Sequence, residues 1–457
     1  MTLPDSFRHH LSLIHGWLPA TVQIIAAIVL IAAISRRSGR WQVRWLPWAL
    51  IVGAALAASA YWYVASQGLS DNPAPRALWI WVGLSGFAAA VLVVGWRSTQ
   101  WWRRGVSLAA VPLCVVCAGL ALNIWVGYFQ TVQSAWNQLT AGPLPDETDQ
   151  VTVTALQQLH KMPPKGTVVA VDTGNAGSGF RHRSELVYLP PAWYASTPPP
   201  KLPTLMMIGG EFNTPADWLR TGQAIKTVDD FAAAHHGNAP VLVFVDPGGA
   251  FNNDTECVNG TRGNSADHMI KDVVPYMESH FGVSPDRSKW AVAGWSMGGT
   301  CAVDLAVMHP EKFRAFEDIA GDIGPNSGNK AQTIARLFGG NPNAWAAFDP
   351  TTVINRHGLY SGLAGWFDIN GSSAAISSSH NTRDQAGAAN SLCALGSAHG
   401  ISCAVVSQPG KHDWPFASHA FAAALPWIAG QIGTPDVPRT PFPTRPVGPS
   451  FEQAAAR

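Results

Sequence analysis

The chain has 457 residues, of which 47% are hydrophobic and 13% charged, about half the charge density of an average soluble protein. That balance excludes a disordered chain and a nucleic-acid-binding one. The formal net charge of +1 joins two unlike parts: residues 1–141 hold nine Arg, no Lys and two Asp, a net of +7, and the remainder carries a net of −6.

Four uncharged apolar runs fill the first third: Gly16 to Ser35, Trp45 to Gln67, Ala77 to Trp96 and Gly105 to Phe129. Each is near the ~20 residues a helix needs to cross ~30 Å of hydrocarbon. Trp17, Trp45, Trp48, Trp62, Trp96, Trp101, Trp102 and Trp125 crowd their ends, where an amphipathic indole favours the membrane surface. The first run lacks a small-residue cleavage site and three more follow, so it reads as a span and not as a leader. Residues 1–130 are therefore expected to form a four-span region whose partner is the lipid bilayer.

Arginines set the expected orientation, because basic residues near span ends stay on the cytoplasmic side. Arg36, Arg37, Arg40 and Arg44 follow the first run, and Arg97, Arg103 and Arg104 follow the third. The loop after the second run has only Asp71 and Arg76, and no Lys or Arg follows the fourth until Lys161. This pattern predicts a multi-pass plasma-membrane protein with its carboxyl half outside the cytoplasm. Gln23 and Asn123, polar but not ionisable, are expected to bond helix to helix. No ionisable residue marks a transport path.

Residues 131–165 read as a Pro-containing linker with one short helix, 166–432 as a folded domain, and 433–457 as a Pro-rich tail. Within the domain, strand-like runs occur at Thr167 to Val171, Glu185 to Leu189, Thr204 to Ile208, Val241 to Val245, Trp290 to Ala293, Leu363 to Ile369 and Ser402 to Ser407. Helical patterns intervene at Ala266 to His280, Thr300 to Val307 and Gln385 to Ala398. Such alternation predicts an α/β fold, a mostly parallel sheet with helices on both faces and room for antiparallel early strands. Gly174 to Gly179 (GNAGSG) reads as a plain turn, since the phosphate-loop spacing is absent. Cys257, Cys301, Cys393 and Cys403 allow three disulfide pairings, and the spacing of the cysteines suggests no metal site.

The chemistry is concentrated in Gly294-Trp295-Ser296-Met297-Gly298, placed between an apolar strand and a helix. A nucleophile lifted on a tight elbow needs glycines at its flanks, and the following helix turns its positive end toward a developing oxyanion. Ser296 is the expected nucleophile. A serine hydroxyl needs a base, and that base needs an orienting carboxylate, in the chain order Ser, acid, His. His412, on the loop after the last strand run, is the expected base. His309, His399 and His419 sit at or within helices. The acid is Asp384, at the start of the helix 385–398, or Asp368, at the end of a strand. Met297 supplies one expected oxyanion amide, and Glu211, with Gly210 next, the other.

Several stretches form a set: Val187-Tyr188-Leu189-Pro190-Pro191, Leu205 to Gly210, the elbow, His309-Pro310-Glu311-Lys312-Phe313, and Gly410-Lys411-His412-Asp413-Trp414. With them the region from Gly166 to Ile428 resembles the putative-esterase (esterase D-like) family of α/β-hydrolases, to which the secreted mycobacterial mycolyltransferases are related. The resemblance implies an α/β-hydrolase domain and a serine esterase or acyltransferase with Ser296, His412 and Asp384 in the triad positions. It also implies no cofactor and an ester of the cell envelope, lipid or acylated glycan, as substrate. Gly209-Gly210 stands where the family usually has His-Gly, and the stretch before Asp384 is longer than in compact esterases. Asp254 to Asn259 is placed near the site as a substrate or disulfide element. The alternative is a non-catalytic envelope protein that binds a ligand or partner on a hydrolase fold.

Overall fold

A computed structural model describes residues 11–35, 38–67, 74–96, 100–140, 144–372, 376, 379 and 381–443. It divides into two compact units, Met1–Gly142 and Pro143–Arg457. Arg36, Arg37, Asp71 and Arg97 of the orientation pattern, and the tail beyond residue 443, lie outside the described residues.

The first unit holds four helices long and apolar enough to cross a membrane: α1 Trp17–Ser35, α2 Gly39–Gln67, α3 Arg76–Gly95 and α4 Trp101–Val126. The second begins six residues before its apolar run because Arg40 and Arg44 are good helix formers. The Arg44 guanidinium rests 5.1 Å above the Trp45 ring. Small residues let α2 and α3 approach closely: a Cβ on Gly53 would overlap the carbonyl oxygen of Gly83. Ile24, Ile28, Ile31, Leu50, Ile51, Ile80, Val93 and Val115 point outward, a surface suited to hydrocarbon and costly in water. Asn123 departs from expectation. It donates from Nδ2 to the Phe129 carbonyl (2.8 Å) and accepts the Phe129 N–H at Oδ1 (2.6 Å), closing its own helix end and not joining a second helix.

The second unit is built on a nine-stranded sheet. Its strands are β1 Glu147–Thr148, β2 Thr167–Val171, β3 Glu185–Leu189, β4 Thr204–Ile208, β5 Val241–Val245, β8 Trp290–Trp295, β9 Ala315–Ile319, β10 Ala364–Asn370 and β11 Ser402–Gln408. A small separate ribbon pairs β6 Asn259–Gly260 with β7 Gly263–Asn264. The spatial order is β1-β2-β3-β5-β4-β8-β9-β10-β11, with β3 antiparallel to both neighbours and every other pair parallel. Central β4 (TLMMI) and β5 (VLVFV) are buried throughout, as strands covered on both faces must be. This is the α/β-hydrolase fold, and β4 beside β8 brings the two loops that leave their carboxyl ends to one place.

Two parts of the chain differ from the sequence reading. The stretch read as linker contributes the helix Val132–Leu139 to the first unit, and β1 with the helix Gln150–Gln158 to the second. One short helix was expected there; polar composition hid the other helix and β1, and Val153 is the buried anchor of Gln150–Gln158. Strand β9 was also hidden, because Glu317 and Asp318 interrupt its apolar run yet are fully buried. The GNAGSG stretch forms the expected turn, closed by Gly179 N–H donating to Asn175 O. The tail starts by packing Phe442 against Trp427, ring centroids 4.9 Å apart.

Candidate active site

The site grows from the end of β8. Ser296 follows Trp295 with φ 57° and ψ −120° and opens the helix Met297–Met308, a strained geometry that few non-glycine residues adopt. Its N–H donates to Ile319 O at 2.8 Å, which ties the elbow to β9. Glycine is required on either side: a Cβ on Gly294 would overlap the Gly298 carbonyl, and one on Gly298 would overlap that of Ile208.

His412 lies on the loop between β11 and the helix Trp414–Gln431, and its Nε2 stands 3.0 Å from Ser296 Oγ. The sequence-predicted nucleophile and base are thus in hydrogen-bond contact across 116 residues of chain. The imidazole is held by a side chain the sequence reading passed over: Trp295 lies against it with centroids 4.3 Å apart. Trp414 and Phe416 back the indole at 6.3 and 6.0 Å. Asp413 accepts the Phe416 N–H and caps the last helix.

Neither candidate acid meets the base. Asp384 caps the helix Gln385–Ala398, accepting the Gly387 N–H at 2.8 Å and the Ser379 hydroxyl at 2.8 and 3.0 Å. Its position at the helix start, which made it look like the acid, is what engages its carboxylate elsewhere. Asp368 is buried between strands, accepting from Gln408 Nε2 at 2.6 Å, and burial pushes its carboxyl up to about 7. The group facing His412 Nδ1 is the Gln385 carboxamide, with Oε1 at 3.3 Å and Nε2 at 3.1 Å. Its place one residue after Asp384 was the only signal in the sequence. Half-buried and facing a neutral amide, His412 has its pKa lowered by desolvation to about 4.

The loop after β4 passes over the nucleophile. A Cβ on Gly210 would stand 3.2 Å from both Ser296 Cβ and Trp295 O, so the backbone there approaches as closely as glycine allows. Glu211 turns its side chain into an acidic pocket, where burial, then the Asp254 charge, raises its pKa to about 8, against the pull of Arg262. Asp254 pairs with Arg262 at 2.9 Å. Glu256 accepts the Asn326 N–H, and burial lifts its pKa well above the usual range. The disulfide Cys257–Cys301, Cα atoms 5.6 Å apart, pins this loop to the nucleophile's helix, as expected of residues 254–259. Cys393–Cys403 is the second bridge. With its pKa near 8, the Glu211 carboxyl can donate a hydrogen bond as well as accept one.

The strand order, the elbow and the Ser–His contact define a serine hydrolase of the α/β-hydrolase fold. The chain belongs to the family described as Putative esterase, whose model matches residues 181–428. An uncharacterized protein of Corynebacterium glutamicum is 28% identical over 412 residues, 85% of this chain and 92% of the relative. Among solved structures, an S-formylglutathione hydrolase from Agrobacterium tumefaciens is similar at 16% identity and TM-score 0.47, covering 59% of this chain and 97% of that one. The fluorophosphonate-binding serine hydrolase F of Staphylococcus aureus (18% identity, TM-score 0.44, 58% and 98% covered) is similar to it as well. So is MPT51 of Mycobacterium tuberculosis (18%, 0.40, 57% and 98%).

Proposed function

We propose that this chain is a membrane-anchored, extracytoplasmic serine esterase or acyltransferase that works through an acyl-enzyme on an ester of the cell envelope, lipid or acylated glycan. The observation that carries the reading is the 3.0 Å contact between His412 Nε2 and Ser296 Oγ at the strained elbow. Ser296 Oγ attacks the ester carbonyl as its proton passes to Nε2. The tetrahedral intermediate, its oxyanion met by the amides of Met297 and of Gly210 or Glu211, collapses, and the departing alcohol takes the proton. Water or a sugar hydroxyl, deprotonated by the same nitrogen, then accepts the acyl group. The Glu211 carboxyl, with its pKa raised to about 8, suits an acceptor rich in hydroxyls.

Four long apolar helices and two disulfides support the anchored, outward placement. Among the described arginines, Arg40, Arg44, Arg103 and Arg104 flank helix ends on the side assigned to the cytoplasm. A reporter active only in the cytoplasm, fused after Phe129, should be silent; an active fusion reverses the orientation. The full chain in detergent, incubated with an envelope lipid extract, should gain the mass of one acyl group, which names the donor. Folded protein that takes up no acyl group from any ester overturns the reading. The amide on Nδ1 of His412 is the feature that favours the second reading, a hydrolase fold that only binds its ligand, and the same experiment separates the two.

A further inference from the structure

The base lacks the countercharge that a triad supplies. When Ser296 gives up its proton His412 becomes an imidazolium, and a triad meets that charge with a carboxylate. Here Nδ1 faces the neutral Gln385 amide. The charged groups on the elements around the ring are engaged or turned elsewhere. Asp384 caps its own helix, Asp413 accepts the Phe416 N–H, Lys411 is exposed, and Glu211 faces Asp254 and Arg262. What lies against the imidazole is the indole of Trp295, with centroids 4.3 Å apart and planes 31° from parallel.

That indole is fixed in place. Trp295 ends β8 and is 5% exposed. Behind it Trp414 stands edge-on to Trp218, centroids 5.2 Å apart and planes at 85°, and Trp218 stands edge-on to Phe421 at 5.8 Å. Trp218, Trp414, Phe416 and Phe421 are all fully buried, and a Cβ on Gly222 would come within 2.8 Å of the Trp414 ring. Packed to this density, the row cannot yield without moving its neighbours. Indole has the best of the aromatic faces for a cation, which it attracts within about 6 Å of its centroid. A neutral imidazole feels little of that attraction, so the contact strengthens as the proton arrives, and only such differential contacts accelerate a chemical step.

Resting on the serine-hydrolase reading above, we propose that the indole face of Trp295 stabilises the His412 imidazolium during turnover, a task that a triad gives to its carboxylate. As the bond from Ser296 Oγ to the acyl carbon forms, the carbonyl π pair moves onto its oxygen and the Oγ proton moves to Nε2. The ring is then cationic against the indole. When the bond from the acyl carbon to the alcohol oxygen breaks, that oxygen takes the proton from Nε2 and the ring is neutral again. Gln385 Oε1, 3.3 Å from Nδ1, accepts its N–H in both states and orients the ring without neutralising it. Trp295 acts through the base, so its role is a positioning one. The elbow motif leaves the residue before the nucleophile open, and only the fold lays this side chain against residue 412.

The test uses the full chain in detergent with a small activated ester and a fluorophosphonate. Trp295→Met should lower kcat/KM and the rate of fluorophosphonate reaction by about 10- to 30-fold, and Trp295→Phe, of similar size but with a π face, should stay within about threefold of wild type. The pH profile separates charge from packing. An imidazolium without its π face is a stronger acid, so the acid limb of kcat/KM should move to lower pH in Trp295→Met, whereas water entering a loosened site would move it upward. In Gln385→Glu, where a carboxylate meets the charge, adding Trp295→Met should cost less than about threefold. Melting curves first show each variant to be folded, and Trp295→Leu replaces a Met variant that is not. Met and Phe variants that are equally slow, or a limb that rises, overturn the proposal and leave the Ser–His reading standing. Folded wild type that forms no fluorophosphonate adduct overturns both.

Discussion

Ser296→Ala is expected to lower kcat/KM for a small activated ester by about 10⁴- to 10⁶-fold while the protein stays folded. The effect is large because no other group can take the covalent step: the elbow at φ 57° presents one hydroxyl to His412. The substitution removes one oxygen from a site that already tolerates a Cβ, so stability should barely change. His412→Ala should cost nearly as much, since the two residues act as a unit. Their double variant should be no worse than either single one. Losses that add, or activity surviving Ser296→Ala, would place the nucleophile elsewhere.

The second large effect concerns the group behind the base. Asp384→Asn should leave kcat/KM within about threefold of wild type, because Asn caps a helix as well as Asp does. Were Asp384 the acid, the same change would cost about 10⁴-fold through the wrong imidazole tautomer. Gln385→Glu should raise kcat/KM by about tenfold or more. The amide can present either Oε1 or Nε2 to Nδ1, and only the oxygen supports the tautomer with its lone pair toward Ser296, whereas a carboxylate fixes that tautomer. The pH profile gives the sign independently. His412 acts as a base only when neutral, and burial lowers its pKa to about 4, so activity should persist as pH falls below 6 and fade only as it falls through about 4. A carboxylate at 385 favours the imidazolium and must move that limb upward. A wild-type limb near 6.5, or a Gln385→Glu limb that does not rise, contradicts this geometry.

Local features were legible in the sequence and non-local ones were not. Four runs of membrane-spanning length, the strand before Ser296 and the helix after it are fixed by neighbouring residues, and they stand where their pattern puts them. The base was legible because the chain order of the fold and a Pro-Gly loop single out His412. Strand β9 was not, since Glu317 and Asp318 imitate a surface segment. The structure buries Glu317 against Asp368, and burial raises the pKa of both. The partner of the base was not legible: Asp384, a carboxylate at a helix start, serves its own helix, and the neutral amide of the next residue, Gln385, faces His412. The Cys257–Cys301 bridge depends on a contact across 44 residues, which no spacing rule encodes.

Reaction of the detergent-solubilised full chain with a fluorophosphonate, followed by mapping of the modified residue, tests the Ser296–His412 pair most directly. One adduct per chain on Ser296, lost in Ser296→Ala and strongly slowed in His412→Ala, is the expected result. Folded wild type that forms no adduct, or an adduct on another serine, would contradict it.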